Sequence, residues 1–378
     1  MGPFLLIDKS ALQGFSEIEI DILHRCYSVI ICPILIHEIQ ANLIKHPDDL
    51  ELSKSKVSHL AKKASGFGSF TIDRHERLLQ ASLFGAPIEL RAQIPRFDGE
   101  EVISADGTKG VVFTETEEET TLKKWSLGVF EEAALEMAQK HVDDVSSYGL
   151  EKSSKDYAKL YPENTNFKSL EEIKRFHDHP DFEGTFGSWS LIESQLNGFN
   201  FANEQKTQIN ERWKKLGCPS FIEFAKYAHY CHRLNTVFWI GVTANLIPLS
   251  KEAKSIVDYQ YFYYLPFVNI FCSADKFHRD CSKHFLRDDQ EFIWRDDLKT
   301  DLKNIASCLE SMTPDEKRYY VRHFGSRPPP LLESITVSLW NRYCGHWHEN
   351  SGNRANDISE KEQKKIIEHV NSLLKARR

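Results

Sequence analysis

The stretch that decides the fold is F-L-L-I-D, Phe4 to Asp8, read together with S-V-I-I-C at Ser28 to Cys32 and the helical pattern between them. Phe4 to Ile7 is a short unbroken apolar run, the pattern of a strand covered on both faces. Asp8 stands at its carboxyl end. Ser16 opens a helix: Glu19, three residues on, completes a capping box, and Phe15 and Ile20 are placed as a hydrophobic staple. Ile18, Ile22, Leu23 and Cys26 supply its expected apolar face. Ser28 to Cys32 reads as a second buried strand. Pro33 suits the first turn of a following helix, whose core side carries Leu35, Ile39 and Leu43. Strand, helix, strand and helix with short links predict a parallel sheet, and so an α/β fold.

From 47 to 80 a polar helical pattern continues, with Lys54, Lys56, Lys62 and Lys63 on what reads as a solvated face. Residues 86–116 alternate around Asp106-Gly107, the signature of a hairpin, and the acidic run Glu115 to Glu119 follows. Residues 123–234 read as mostly helical, with loops near Pro162, Pro180 and Pro219. The sheet signal returns after 250. Asp258 opens the aromatic helix D-Y-Q-Y-F-Y-Y-L, and F-V-N-I-F-C then leads into Ser273-Ala274-Asp275, again a buried strand with an acid just past its end. A further short strand is expected at E-F-I-W, Glu291 to Trp294. The last helix is expected to open at Ser359, capped with Glu362, with Ile366, Ile367, Val370, Leu373 and Leu374 on its apolar face. The expected division is a core in two parts, 1–83 and 235–300, a mostly helical insertion at 84–234, and a helical C-terminal region at 301–378.

Composition narrows the classes. Of 378 residues 41% are hydrophobic, which excludes wholesale disorder. A formal net charge of −7 excludes a nucleic-acid binder working by bulk positive charge, but not an enzyme with local basic residues. Eight cysteines are too dilute for a disulfide scaffold and read as reduced thiols. The first residues lack a signal-peptide pattern, and the longest apolar stretch, V-F-W-I-G-V-T-A-N-L-I-P-L, is shorter than the ~18–20 residues of a membrane span. The expectation is a cytoplasmic protein with no membrane segment.

In open parallel sheets, ligands bind beyond the carboxyl ends of the strands, where strand order reverses. Asp8 and Asp275 stand there; Glu38 lies about one and a half turns into the helix after the second strand; Asp258 starts the helix that feeds Asp275's strand. Four carboxylates in one notch repel and hold protons unless a counter-charge is present. A hard divalent cation, Mg²⁺ or Mn²⁺ rather than zinc, suits such all-oxygen ligands.

These segments, F-L-L-I-D-K-S-A-L, V-I-I-C-P-I-L-I-H-E-I and Asp258 with S-A-D-K-F, resemble the PIN-domain nucleases. That family has four acids: after strand one, on the second helix, at a later helix start and just past strand four. Asp8, Glu38, Asp258 and Asp275 match them in that order. Ser10 and Ser273 match small polar positions that support the metal site or bind phosphate. The resemblance implies a PIN-like parallel-sheet core and Mg²⁺- or Mn²⁺-dependent hydrolysis of a phosphodiester, most often in RNA. Asp8, Glu38, Asp258 and Asp275 would be both catalytic and metal-binding. Lys9 and Lys276, each beside one of these acids, are candidate phosphate contacts, or, as strand neighbours, point away from the notch. One or two ions, ~3.5–4 Å apart in two-metal sites, would activate a water for in-line attack. An endoribonuclease of this kind fits a toxin or defence effector, with an inhibitor or antitoxin protein as a partner and oligomers allowed. The match covers about a third of the chain, in two blocks. The Tyr- and Phe-rich helix after Asp258 and the large insertion both depart from the family pattern.

Other readings stand beside this one. The substrate could be single-stranded or flap DNA, or the notch could be inactive in a PIN-like binding or regulatory protein. An acid at a strand end is often only a helix cap. His229-Tyr-Cys231-His232, Cys272…His278…Cys281…His284 and Cys344-Gly-His346-Trp-His348 lack the paired spacing of a structural zinc site and read as core and surface residues. His177-Asp178-His179 reads as a loop, and Tyr259 to Tyr264 as core rather than a base-stacking platform. Neither a phosphate-cradling G-x-x-x-x-G-K-[ST] nor a G-x-S-x-G elbow occurs. Aspartate-nucleophile phosphatases want an acid two residues after the first, where this chain has Ser10.

Overall fold

The computed structural model describes residues 2–96, 99–103, 109–147, 166–199, 201–247, 254–329 and 333–351. The expected turn at Asp106-Gly107, the loop at Pro162 and the helix from Ser359 lie outside the described residues. The chain opens with β1 (Phe4–Ile7), α1 (Lys9–Gly14), α2 (Glu17–Cys26), β2 (Ser28–Ile31), α3 (Pro33–Gln40), α4 (Leu50–Ala64), β3 (Ser69–Thr71) and α5 (His75–Phe84). A hairpin of β4 (Gly99–Ile103) and β5 (Lys109–Phe113) forms its own antiparallel pair. Helices follow: α6 (Glu117–Ser126), α7 (Ala133–Ser147), α8 (Leu170–His177), α9 (Pro180–Phe186), α10 (Ser188–Gly198), α11 (Asn203–Lys215), α12 (Phe221–Phe224) and α13 (Lys226–Thr243). Then come α14 (Lys254–Gln260), a 3₁₀ segment (Tyr261–Phe267), β6 (Ile270–Ser273), α15 (Lys276–Ser282) and β7 (Glu291–Trp294). The described chain ends with α16 (Arg295–Ser311), α17 (Pro314–Phe324) and α18 (Ile335–Ser351).

Five strands form one sheet in the order β3-β2-β1-β6-β7, with every neighbouring pair parallel. The protein is therefore a mixed α/β fold. Leu5, Leu6, Ile7, Val29, Ile30, Ile270, Phe271 and Cys272 are fully buried, as the unbroken apolar runs require of strands covered on both faces. Around them α2 packs against α16, and α5 against α13.

Three local expectations need correction. The capping box on α2 is present, with Ser16 N donating to Glu19 Oε2 at 2.7 Å. Of its expected apolar face Ile22, Leu23 and Cys26 are buried, joined by Ile20, but Ile18 is 56% exposed. Once Ile20 is turned inward beside Phe15, the 3.6-residue period carries Ile18 to the rim. The polar pattern from 47 to 80 is two helices separated by β3, a three-residue edge strand whose partial burial leaves little apolar signal. Asp258 does not open its helix but lies inside α14, which begins at Lys254.

Described residues between 84 and 234, among them Trp125, Ile173 and Tyr227, belong to the same apolar core as the sheet. Tyr227 and Tyr230 on α13 donate their hydroxyls to the carbonyls of Tyr263 (3.1 Å) and Phe262 (2.7 Å). The limit expected at 234/235 falls inside α13, and that at 300/301 inside α16. Tyr261, Phe262 and Tyr264 are fully buried, as core residues should be. At the far end, Asp301 Oδ2 accepts from Thr336 N at 2.8 Å, and Trp340 Nε1 donates to Cys26 O at 2.6 Å, which fastens α18 to the α2–β2 corner. No described helix is long and apolar enough to cross a membrane.

Candidate functional site at the point where strand order reverses

β1, β2 and β3 add to one side of the sheet and β6 and β7 to the other, so the order reverses between β1 and β6. That reversal opens the crevice in which such sheets place their ligands. Ile7 is in register with Cys272, so Asp8 and Ser273 stand side by side at the carboxyl ends of the two strands. Each strand turns directly into a short helix. Asp8 caps α1, accepting from Ala11 N at 2.8 Å; Asp275 caps α15, accepting from Phe277 N at 2.8 Å. Both strand-end acids are therefore helix caps.

Asp8 carries more than its cap. Its Oδ2 accepts from Ser273 Oγ at 2.7 Å, and Ser10 Oγ lies 2.8 and 2.9 Å from its two oxygens. Ser10 Oγ in turn accepts from Ala274 N at 3.0 Å, and Ser273 Oγ from Asp275 N at 2.9 Å, so the loops after β1 and β6 are tied together. His278 closes the arrangement. Its Nδ1 is 3.1 Å from Asp8 Oδ2 and its Nε2 is 2.8 Å from the carbonyl oxygen of Asp258. With an oxygen acceptor facing each nitrogen, the ring is placed to donate from both, as an imidazolium does.

The charges follow from these contacts. Burial pushes the His278 imidazole down, but the hydrogen bond and charge of Asp8, joined by the charge of Asp258, lift it above its ordinary value. Burial pushes the Asp8 carboxyl up, yet the His278 bond and charge, with the bonds from Ser273 and Ala11, hold it below the usual carboxylate range. The two form a buried ion pair, with Asp8 only 3% exposed and His278 fully buried.

Glu38 comes from α3. Tyr261 donates its hydroxyl to Glu38 Oε2 at 2.5 Å. Burial raises the Glu38 carboxyl, the Tyr261 bond and Lys9 pull it back, and nearby Asp8 pushes it up again; the net direction is up. Lys9 is buried, and its Nζ donates to the Glu38 carbonyl at 2.7 Å. Its ammonium is thus turned toward the α3 backbone. Lys276, the first residue of α15, is exposed. Asp258 is buried, reaching the cluster through its carbonyl and its charge on His278.

The fold thus ties Asp8, Ser10, Ser273 and His278 into one hydrogen-bonded unit, with Glu38 and Asp258 near enough for their charges to act on it and Asp275 capping the adjoining helix. The oxygen donors are of the kind Mg²⁺ takes, but their arrangement is not. Asp8 has about four lone-pair positions, and Ala11, Ser10, Ser273 and His278 already point at them. Among the described residues, no three His, Cys, Asp or Glu side chains gather as one ion requires. As placed, these residues do not fit Mg²⁺ or Mn²⁺.

Sequence reasoning missed His278 and Tyr261. In the sequence His278 stands out only as a member of a Cys/His group, whereas the signal that could have found it is charge balance, since buried acids need a cation and His278 lies one turn past Asp275. Its cysteine neighbours are core residues: burial pushes the Cys281 thiol up to about 12 and Cys272 well above its ordinary value. His177, expected in a loop, is the last residue of α8 and 3% exposed. It meets His232, with His177 Nε2 at 3.1 Å from His232 Nδ1, and its ring centre is 5.4 Å from that of His229. The chain matches no family model, no curated protein and no solved structure.

Proposed function

We propose that this chain is a PIN-like nuclease whose notch hydrolyses a phosphodiester bond, in RNA ahead of DNA. The observation that carries the reading is the hydrogen-bonded unit of Asp8, Ser10 and Ser273 at the reversal of strand order, with Glu38 and Asp258 delivered to it from two other elements. Ser10 and Ser273 fix the direction of the Asp8 carboxylate, and Tyr261 fixes that of Glu38. Two carboxyls displaced in opposite directions divide acid and base work. Asp8 is held below the usual carboxylate range by His278, Ser273 and Ala11, and Glu38 is raised by burial, so the two carboxyls differ in their hold on a proton. Mg²⁺ or Mn²⁺ is the cofactor the family resemblance implies, and no step depends on an ion at a stated position. A cytoplasmic location, an inhibitor or antitoxin partner and a toxin or defence role belong to the same proposal.

The test is incubation of the full chain with labelled RNA, single-stranded DNA and flap DNA, with Mn²⁺, Mg²⁺ or chelator, beside Asp8→Asn. The expected result is metal-dependent cleavage of RNA ahead of DNA, lowered about 100-fold or more in the variant. Cleavage at the same rate by a folded Asp8→Asn protein would overturn the proposal. A second reading, a binding or regulatory protein with a closed notch, is favoured by the filled lone pairs of Asp8. RNA retained uncut by the wild type under all metal conditions would select it.

A further inference from the structure

We propose that the cavity beyond the carboxyl ends of β2 and β3 binds a nucleobase, adenine ahead of the others, beside the notch. This deepens the reading of the notch as a site for RNA and rests on it. The cavity measures about 630 Å³, within the ~300–1,000 Å³ of sites for small organic ligands. Its place follows from two elements that it shares with the notch. Glu38 on α3 and Tyr261 just after α14 meet in the notch, and the residues immediately before them, His37 and Gln260, line the cavity. A helix turns each residue about 100° from the last, so the same two stretches wall both sites. α5 supplies Gln80 from a third side, and Pro33, Ile256 and Tyr264 give apolar surface.

The polar groups suit a base rather than a phosphate. Arg74 and Arg77 are engaged by Glu118 at 3.2 Å and by Asp73 at 3.0 Å, and Glu76 adds a negative charge. His37 is stacked on His141, with ring centres 5.0 Å apart and planes 18° from parallel. Burial and the charges of His141 and Arg74 push the His37 imidazole down to about 4, so this flat wall is uncharged near neutrality. Unpaired bases stack on such rings. The His37 nitrogens and the Gln80 and Gln260 carboxamides have no hydrogen-bond partner among the described residues. A carboxamide sets a donor beside an acceptor and pairs bidentately with adenine at N6 and N7. Adenine repeats the donor–acceptor pair on its other edge, N6 with N1, so it offers one edge to each glutamine. Guanine presents two acceptors, O6 and N7, which call for a free arginine or lysine.

The experiment is titration calorimetry of adenosine, guanosine, cytidine and uridine, each alone and without metal, into the full chain. Purine riboside, which lacks the N6 amino group, is the fifth ligand. Adenosine is expected to bind about tenfold tighter than any of the other four. Q80L and Q260L, checked for folding by circular dichroism, are each expected to weaken adenosine about tenfold and purine riboside less. Equal binding of the five ligands, a preference for another base, or no saturation by adenosine at millimolar concentration would overturn the proposal. Undiminished adenosine binding by folded Q80L and Q260L would do the same. If neither variant folds, the wild-type comparison of adenosine with purine riboside decides alone, and equal affinities overturn the proposal. Neither metal nor cleavage enters the measurement. Adenosine binding by a chain that leaves RNA uncut would therefore keep the base site and sink the nuclease reading, and metal-dependent cleavage without adenosine binding would do the reverse.

Discussion

At the switch point His278 lies fully buried between Asp8 and the Asp258 carbonyl; among the helices before it, His177 and His232 are as deeply buried and face each other at 3.1 Å. The residue type and the burial are alike, but the charge outcome is opposite. For His278 a buried carboxylate reverses the effect of burial and raises the ring's affinity for a proton. In the helical cluster burial dominates and each histidine repels charge on the next: His232 is driven well below its ordinary value, and His229 down to about 4. His177 is also lowered, although Asp178 pulls it the other way. Asp178 cannot reverse the result because it is partly exposed and already held by Arg233 through two bonds of 2.6 and 2.8 Å. Depth therefore does not decide whether a buried histidine is charged. The decisive difference is a partner acid as deeply buried as the ring.

The largest break in this comparison comes from removing that acid. Asp8→Ala leaves His278 without its counter-charge, and strips Ser273 and the Ala11 amide of an acceptor. Urea unfolding is expected to show a loss of about 3–5 kcal/mol, the range for breaking a buried pair by deleting one partner. A loss below about 1 kcal/mol would mean the pair is not formed.

Varying pH sharpens the contrast at an intermediate scale. A histidine whose affinity for protons is raised by folding contributes stability below about pH 6.5, lost as pH climbs through its folded value. His278 belongs to this class, facing Asp8, Asp258 and, more remotely, Glu38. A lowered histidine contributes above about pH 6.5, and that contribution is lost as pH falls. His229, with His177, Asp178 and Arg233 around it, belongs there, as do His24, His37 and His75 elsewhere. Melting curves from pH 4 to 9 should show His278→Gln flattening the alkaline decline. His229→Gln should reduce the acid-side slope by at most about 1.4 kcal/mol per pH unit. The reverse pattern would contradict a charged His278 and a neutral His229.

The smallest effect is expected at the surface pair of the helical cluster. Asp178 is 40% exposed, so water and salt screen its bond to Arg233. Arg233→Ala should cost about 1 kcal/mol or less in urea unfolding, with the difference shrinking as salt rises. A cost approaching that of Asp8→Ala would place the two centres in the same class.

Legibility in the sequence differs between the halves of the site. Asp8 and Asp275 can be located from F-L-L-I-D and F-C-S-A-D because a buried parallel strand has an unbroken apolar pattern, and the residue after it must lie at the sheet's edge. The order of the strands, which puts those two edges side by side, is carried by pairing between residues more than 260 positions apart, as from Phe4 to Asn269, and leaves no local trace. The three-residue β3 is hidden for a related reason, since an edge strand half in water has no distinctive period. Asp258 reads as a helix start because α14 begins in a polar stretch and its aromatic content marks the helix later than it starts.

The sequence by itself determined the parallel α/β class, the cap at Ser16 and the helix start at Pro33, the strand-end positions of the acids and the core role of the aromatics after Asp258. These depend on contacts within a few residues, where periodicity and stereochemistry act directly. Only the tertiary structure decided that Asp8 pairs with His278, that Lys9 turns to the Glu38 carbonyl and that Tyr261 holds the Glu38 carboxyl. The charge of a buried group is set by neighbours brought from distant parts of the chain, and so it exists only once the chain has folded.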